Sequence, residues 1–219
     1  MTKTAFLVLV LASAAFGESA AERLSSSARV FKEIMATSDR GIPQDLLQKA
    51  ECIVVVPGMK KGAFIVGGNF GRGFVSCRKA SPGWSAPGAI RVEGGSFGFQ
   101  IGASETDVIM LVLNKRGAEK LMASKFTVGG DASVAAGPVG RTSSAETDAL
   151  MHAEMLSWSR SRGVFAGIAL KGATLRPDGD ANKDLYGSEL ETRQIVTNTP
   201  APKAAGSLIA LLNRYSSRK

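Results

Sequence analysis

Several short stretches carry residue types whose spacing can do chemistry. "GGSFG" at 94–98 matches the G-x-S-x-G elbow, which lifts a serine hydroxyl onto a sharp strand-to-helix turn. Ser96 would be the nucleophile of an esterase, with Asp107, Asp131 or Asp148 and then His152 following in hydrolase order. The context works against it. Phe97, Phe99 and Ile101 continue an alternating strand through the supposed turn, and His152 lies on an alternating run with Glu154, Leu156, Trp158 and Arg160. "DGDANKDLYGSE" at 178–189 sets Asp178, Asp180, Asn182, Asp184 and Glu189 at offsets 1, 3, 5, 7 and 12 of a calcium loop, but Lys183 stands where glycine makes the turn. An ordinary acidic loop with a helix start fits those residues better.

Phosphate-binding loops are not spelled out. No window supplies the Walker pattern, and Gly71, Gly73 and Ser76 break the dinucleotide pattern at its third glycine, with no helix following. No cofactor motif is present. Bases instead gather around turns: Lys60 and Lys61 beside Met59 in "PGMKKG", Arg78 and Lys79 in "CRK", Lys115 and Arg116 in "NKR", and Arg141. A basic tip with an exposed Met59 would suit a membrane surface, charge meeting phosphates while the thioether enters the acyl boundary. A solvated hairpin turn is the alternative reading.

The elements that must position these residues follow from periodicity. Leu24, Ala28, Phe31 and Met35 recur at helical spacing, so 21–37 reads as an amphipathic helix that could lie at an interface. A short helix follows from Pro43 to about Ala50. From "CIVVV" at 52–56 the period is two, with strands expected at 62–69, 71–78, 90–101, 107–113, 131–140, 152–161 and 164–171 and turns at "PG" 57 and 82. Asn114 caps a helix from Lys115 to about Ala123, and Leu208, Leu211, Leu212 and Tyr215 mark a closing helix. Strands flanked by N- and C-terminal helices, without a βαβ rhythm, imply an α+β fold with a mainly antiparallel, strongly curved or barrel-like sheet. In "GGNFGRGF", Phe64, Val66, Phe70, Arg72 and Phe74 share one side, and Gly67, Asn69, Gly71 and Gly73 leave the other bare. "GGSFGFQIG" repeats the pattern, Gly94, Gly98 and Gly102 lying opposite Gly95, Phe97, Phe99 and Ile101. A neighbouring chain can approach such a face closely.

Composition bounds the setting. Lys3, the apolar run Ala5–Phe16, and small Ala15 and Gly17 form a secretory leader cleaved near Gly17, or at Ala20. Twelve apolar residues are too few to span a hydrocarbon layer of about 30 Å. Residues 18–219 then form a single exported domain, periplasmic or secreted. Removing residues 1–17 takes Lys3 and no acid, so the net charge falls from +8 to +7. Such a surplus attracts acidic surfaces, lipid headgroups before nucleic acid outside the cytoplasm, or serves solubility alone. Cys52 and Cys77 end apolar runs and could pair in an oxidising compartment; with His152 the sole histidine, they cannot make a zinc site.

Six ordered blocks resemble the SYLF lipid-binding domain family. They are "AECIVVVPGMKKGAFIVGGNFGRGFVSCR" at 50–78, "GWSAP" at 83–87, "GGSFGFQIGASETDVIMLVLNKRG" at 94–117, "SKFTVGGDASVAAGPVGR" at 124–141, "SWSRSRGVFAGIALKGATLRPD" at 157–178 and "DANKDLYG" at 180–187. The resemblance covers the chain from about Ala28 to Gly187. It implies binding of anionic phospholipids through a basic, partly amphipathic surface, with no shared enzymatic reaction. Fungal relatives also bind actin, a role that this sequence does not itself support. The residues expected to meet the lipid are Lys60, Lys61, Arg72, Arg78, Lys79 and Arg141. The alternative is an envelope structural or interaction module meeting a protein or an acidic polymer.

Overall fold

A reciprocal cap starts the longest helix. In the computed structural model, which describes residues 18–37, 41–63, 67–96, 102–139, 152–161, 163–168 and 170–216, the Glu22 N–H donates to the Ser19 hydroxyl at 3.2 Å and the Ser19 N–H to the Glu22 carboxylate at 2.8 Å. These bonds satisfy donors that a first helical turn leaves unpaired, and they hold the Glu22 carboxyl below its usual range. Helix α1 spans Ala20–Ala36 and buries Leu24, Phe31 and Ile34 in the core. The apolar stripe that made this helix a candidate interfacial element is therefore spent inside the protein. Truncating Phe31 alone would cost about 3–5 kcal/mol.

Helix α2 (Gln44–Lys49) follows Pro43 and leads into strands β1 (Cys52–Ala63), β2 (Gly67–Cys77), β3 (Gly88–Ser96) and β4 (Gly102–Val112). After α3 (Lys115–Leu121), capped by the Asn114 side chain, come β5 (Phe126–Thr127), β6 (Val134–Ala136), β7 (Met155–Ser161), β8 (Val164–Gly167) and β9 (Thr174–Pro177). The chain closes with α4 (Gly179–Tyr186), α5 (Thr192–Asn198), a short 3-10 turn (Lys203–Ala205) and α6 (Gly206–Tyr215). Among the described residues the sheet order is β5-β9-β3-β2-β1-β4-β7, and β6 and β8 share the far edge of β7. Only the β6–β7 pairing is parallel among these strands. The sheet curls strongly into a half-barrel, with helices at both ends of the chain, as the sequence implied.

Apolar layers cover both faces. Ile53, Val55, Phe74, Ile109 and Trp158 pack under α1 and α6, while Val54, Val56, Val75, Val108 and Met110 pack with Leu121, Phe126 and Leu175 on the other side. That explains why "CIVVV" is uninterrupted: alternate residues enter different cores. Two regions depart from expectation. Pro57–Gly58 is not a hairpin turn, because β1 runs through it with one extra residue between Val55 and Lys60, a bulge. The region after 171 holds β9 and α5, which the periodicity did not indicate, α4 begins where the acidic stretch at 178–189 was read as a helix start, and the 131–140 strand shrinks to Val134–Ala136.

Candidate anion-binding face

The bulge decides which residues of β1 face outward. Gly58 adopts a φ of 56°, a conformation glycine reaches at no steric cost. Its N–H donates to Asp107 Oδ1 at 2.9 Å. Asp107 Oδ2 accepts from Arg160 Nε at 2.9 Å and from its terminal nitrogen at 2.7 Å, and Arg160 also pairs with Glu33 of α1. Burial lowers the Arg160 pKa, but the bonds to Glu33 and Asp107 outweigh it and hold the group above its ordinary value. With the bulge fixed, Met59 turns inward and is 1% exposed, which corrects its reading as an exposed tip residue, while Lys60 stays exposed. Lys61 follows within β1, opposite Asn69 and Ser104.

On the face carrying Val55 and Phe74, the helices cover one end of the strands and leave the other open. Lys60 lies opposite Phe70, and Phe70 opposite Glu93. One step nearer the helices, Arg72 lies opposite Arg91 and Arg91 opposite Arg176. Phe70 is 47% exposed, and the Arg72 guanidinium carbon stands 6.0 Å from its ring centroid. Arg72 Nε is 3.4 Å from Asp178 Oδ2, Arg91 Nε 2.9 Å from Glu93 Oε1, and Arg176 Nε 3.7 Å from Glu93 Oε2. The opposite, bare side of β2 serves close approach: a Cβ on Gly73 would stand 2.2 Å from the Val55 carbonyl oxygen, and one on Gly71 2.7 Å from Val56. Sequence reasoning found Arg72 but missed Arg91 and Arg176, whose neighbourhood depends on register between distant strands.

Arg78 and Lys79 do not join this face. Arg78 Nε donates to the Ala50 carbonyl at 3.2 Å and its terminal nitrogen to the carbonyls of Leu47, at 3.0 Å, and Ser216. Its guanidinium carbon also lies 4.2 Å from the Trp84 ring centroid, so Arg78 ties α2, β2 and the end of α6 together. Lys79 is exposed beside it and lines a 480 Å³ hollow with Ser81 and Asn213. Arg141, Asp148, Phe64, Val66, Phe97, Gly98, Phe99, Ile101 and the leader at 1–17 lie outside the described residues.

Neither the esterase nor the calcium constellation forms. Ser96 belongs to β3, opposite Gly67, with β2, β1 and β4 between it and β7, which His152 precedes. Asp107 is committed to the bulge, and Asp131 Oδ2 accepts the Thr127 N–H at 2.6 Å in a turn. The calcium spacing is wound into α4, where Asp178 is the cap residue and Asn182 is buried, its Oδ1 accepting the Ala89 N–H at 2.7 Å. No cluster of three or more metal-ligating side chains occurs among the described residues. Cys52 and Cys77, opposite each other on β1 and β2, form a disulfide with their Cα atoms 4.0 Å apart.

Residues 93–215 match the family model described as Ysc84, Las17-binding protein actin regulator. The chain is 36% identical over 177 residues to an SH3 domain-containing protein of Schizosaccharomyces pombe, covering 78% of this chain and 41% of that protein. It is 30% identical over 205 residues to the Homo sapiens SH3 domain-containing YSC84-like protein 1, covering 92% and 60%. With LAS seventeen-binding protein 3 of Saccharomyces cerevisiae the identity is 32% over 172 residues, covering 77% and 37%. The chain thus spans less than two thirds of each relative, and none of these three names states a reaction. With the family model matched from β3 to α6 and the human relative aligned along most of its length, this chain belongs to the Ysc84 family of SYLF domains.

Proposed function

We propose that this protein binds anionic phospholipid surfaces without catalysing a reaction, as a peripheral protein of an exported compartment. One observation carries the reading: Phe70, 47% exposed, stands on the open sheet face between Lys60 of β1 and Arg72 of its own strand. An aromatic ring flanked by cations suits the boundary where headgroup phosphates meet acyl chains. Each base near such a surface contributes about 1 kcal/mol, and burying the ring up to about 2 kcal/mol more. Lys61, Lys79 and Arg141 would add to the same attraction from elsewhere on the chain, whereas Arg78 would act mainly by bracing the fold.

Export is supported by the leader-like residues 1–17 and by the Cys52–Cys77 disulfide, which persists in oxidising compartments. Cleavage after Gly17 would keep the Ser19 cap of α1 intact, while cleavage after Ala20 would remove it. The unit from 18 to 219 would then act as one domain. Sedimentation with phosphatidylglycerol-containing vesicles should exceed that with phosphatidylcholine alone and fall as salt rises; equal binding to both would sink the reading. Lys60→Glu should weaken the anionic binding.

A second reading rests on the relatives' names. Las17-binding and SH3-containing proteins point to a protein partner, met here by the same basic face. It requires a defined cross-linked partner and no vesicle sedimentation.

A further inference from the structure

We propose that the lipid phosphate is seated on a cross-strand ladder of three arginines, Arg72 on β2, Arg91 on β3 and Arg176 on β9, with Glu93 as its internal competitor. The proposal rests on the membrane reading above and adds the residues that hold the charge and the carboxylate that must be displaced.

The register forces the ladder. Arg72 is directly opposite Arg91, and Arg91 directly opposite Arg176. Residues so paired have Cβ atoms roughly 5 Å apart, and like charges at that separation repel. Three neighbouring strands make a row about 10 Å wide. A fold that places three guanidinium groups in such a row needs anions between them.

The chain supplies too few. Asp178 lies 3.4 Å from Arg72, but it is 2% exposed and its Oδ1 is engaged by the Ala181 N–H at the start of α4. Glu93 divides its two oxygens, one 2.9 Å from Arg91 and the other 3.7 Å from Arg176. Neither the Arg72–Asp178 nor the Arg91–Glu93 contact is a well-aligned hydrogen bond: Arg91 Nε and Asp178 Oδ2 have no hydrogen-bond partner among the described residues. Lys60 lies one row beyond, between Phe70 and Glu105, and the three arginines keep a surplus of one positive charge over Glu93 and Asp178.

The arginine side chains are 44%, 42% and 37% exposed, so an external anion can reach them. A guanidinium fork matches the oxygens of a phosphate bidentately. Glu93 already bridges Arg91 and Arg176 with two oxygens and one negative charge, as a phosphodiester would. Phe70, opposite Glu93 on β2, places an apolar anchor beside the seat, which favours a phosphate carried by a lipid. The covering helices stop one row short, at Phe74 and Ala89.

The test compares four variants on vesicles of phosphatidylglycerol in phosphatidylcholine, with circular dichroism confirming an unchanged fold. Arg91→Gln and Arg176→Gln should each weaken binding roughly fivefold, the effect of about 1 kcal/mol per base near an anionic surface. Glu93→Gln should tighten binding severalfold, and more than Glu119→Gln, which removes the same charge from exposed α3. If the wild type prefers anionic vesicles while all these variants bind like it, the ladder is overturned and the membrane reading stands. If the wild type sediments equally with neutral vesicles, both fall. Loss of binding to polyglutamate, with vesicle binding unchanged, would assign the ladder to an acidic protein and overturn the lipid proposal.

Discussion

Asp107 and Arg160 meet at 2.7 Å between adjacent strands β4 and β7, and through that contact the β1 bulge is joined to α1. One carboxylate oxygen holds the Gly58 N–H and the other the guanidinium, which reaches on to Glu33. Asp107→Ala leaves the Gly58 N–H without its acceptor and a partly buried cation with Glu33 alone, so it should cost about 2 kcal/mol in urea unfolding. Glu33→Gln should cost less than about 1 kcal/mol, because Glu33 is 47% exposed. Equal losses from the two variants would contradict the central place given to Asp107.

The glycines of "GGNFGRGF" separate into necessary and permissive ones. Gly73→Ala drives a methyl group to within 2.2 Å of the Val55 carbonyl oxygen and 2.8 Å of the Val56 Cα, backbone atoms held by the sheet. It should destabilise by about 3 kcal/mol or prevent folding. Gly68→Ala meets nothing nearer than the Gly94 carbonyl oxygen at 4.0 Å and should change stability by about 0.5 kcal/mol or less. Thermal melts of the pair decide the matter: similar melting temperatures would refute the close approach at Gly73.

Cys52 and Cys77 close a loop with a sequence separation of 25 residues. Constraining a loop of that length in the unfolded chain contributes about 3 kcal/mol. The double variant Cys52→Ala with Cys77→Ala should therefore unfold at markedly lower urea concentration, and a reducing agent should shift the wild type to the same midpoint while leaving the variant unmoved. A wild type insensitive to reductant, with free thiols detected by alkylation, would show that the bond does not form.

Much of this arrangement was legible in the sequence, and the parts that were not share a cause. Leu24 and Phe31 repeat at helical spacing and Ile53 and Val55 at strand spacing, so local pattern located α1 and β1. Pro57–Gly58 was misleading because the same dipeptide serves a turn or a bulge, and only the fixed register to β2 and β4 selects the bulge. Burial of Met59 follows from that selection. The acids at 178–189 have offsets compatible with a loop, but Asp178 is equally a helix cap, and packing of Asn182 against Ala89 decides for the helix. Arg91 and Arg176 are 85 positions apart along the chain and opposite each other in space. No window of sequence contains both.

Tyr186 provides a pH test of how α4 is seated. Its hydroxyl donates to the Pro87 carbonyl oxygen at 2.7 Å, and burial raises its pKa above the ordinary phenol value of about 10. A raised native pKa means that the unfolded chain loses this proton first, so the stabilising contribution is complete below about pH 10 and declines as pH climbs toward the native value. The slope from this single group approaches about 1.4 kcal/mol per pH unit once the unfolded tyrosine is ionised. Tyr186→Phe should be less stable than the wild type by about 1 kcal/mol near neutrality, from the lost bond. That gap should close and then reverse as pH rises above about 10, because the variant has no proton to lose at this site. Urea midpoints of the two proteins, measured between neutral and strongly alkaline pH, follow the gap directly; a constant gap would mean that Tyr186 ionises alike in the folded and unfolded chain.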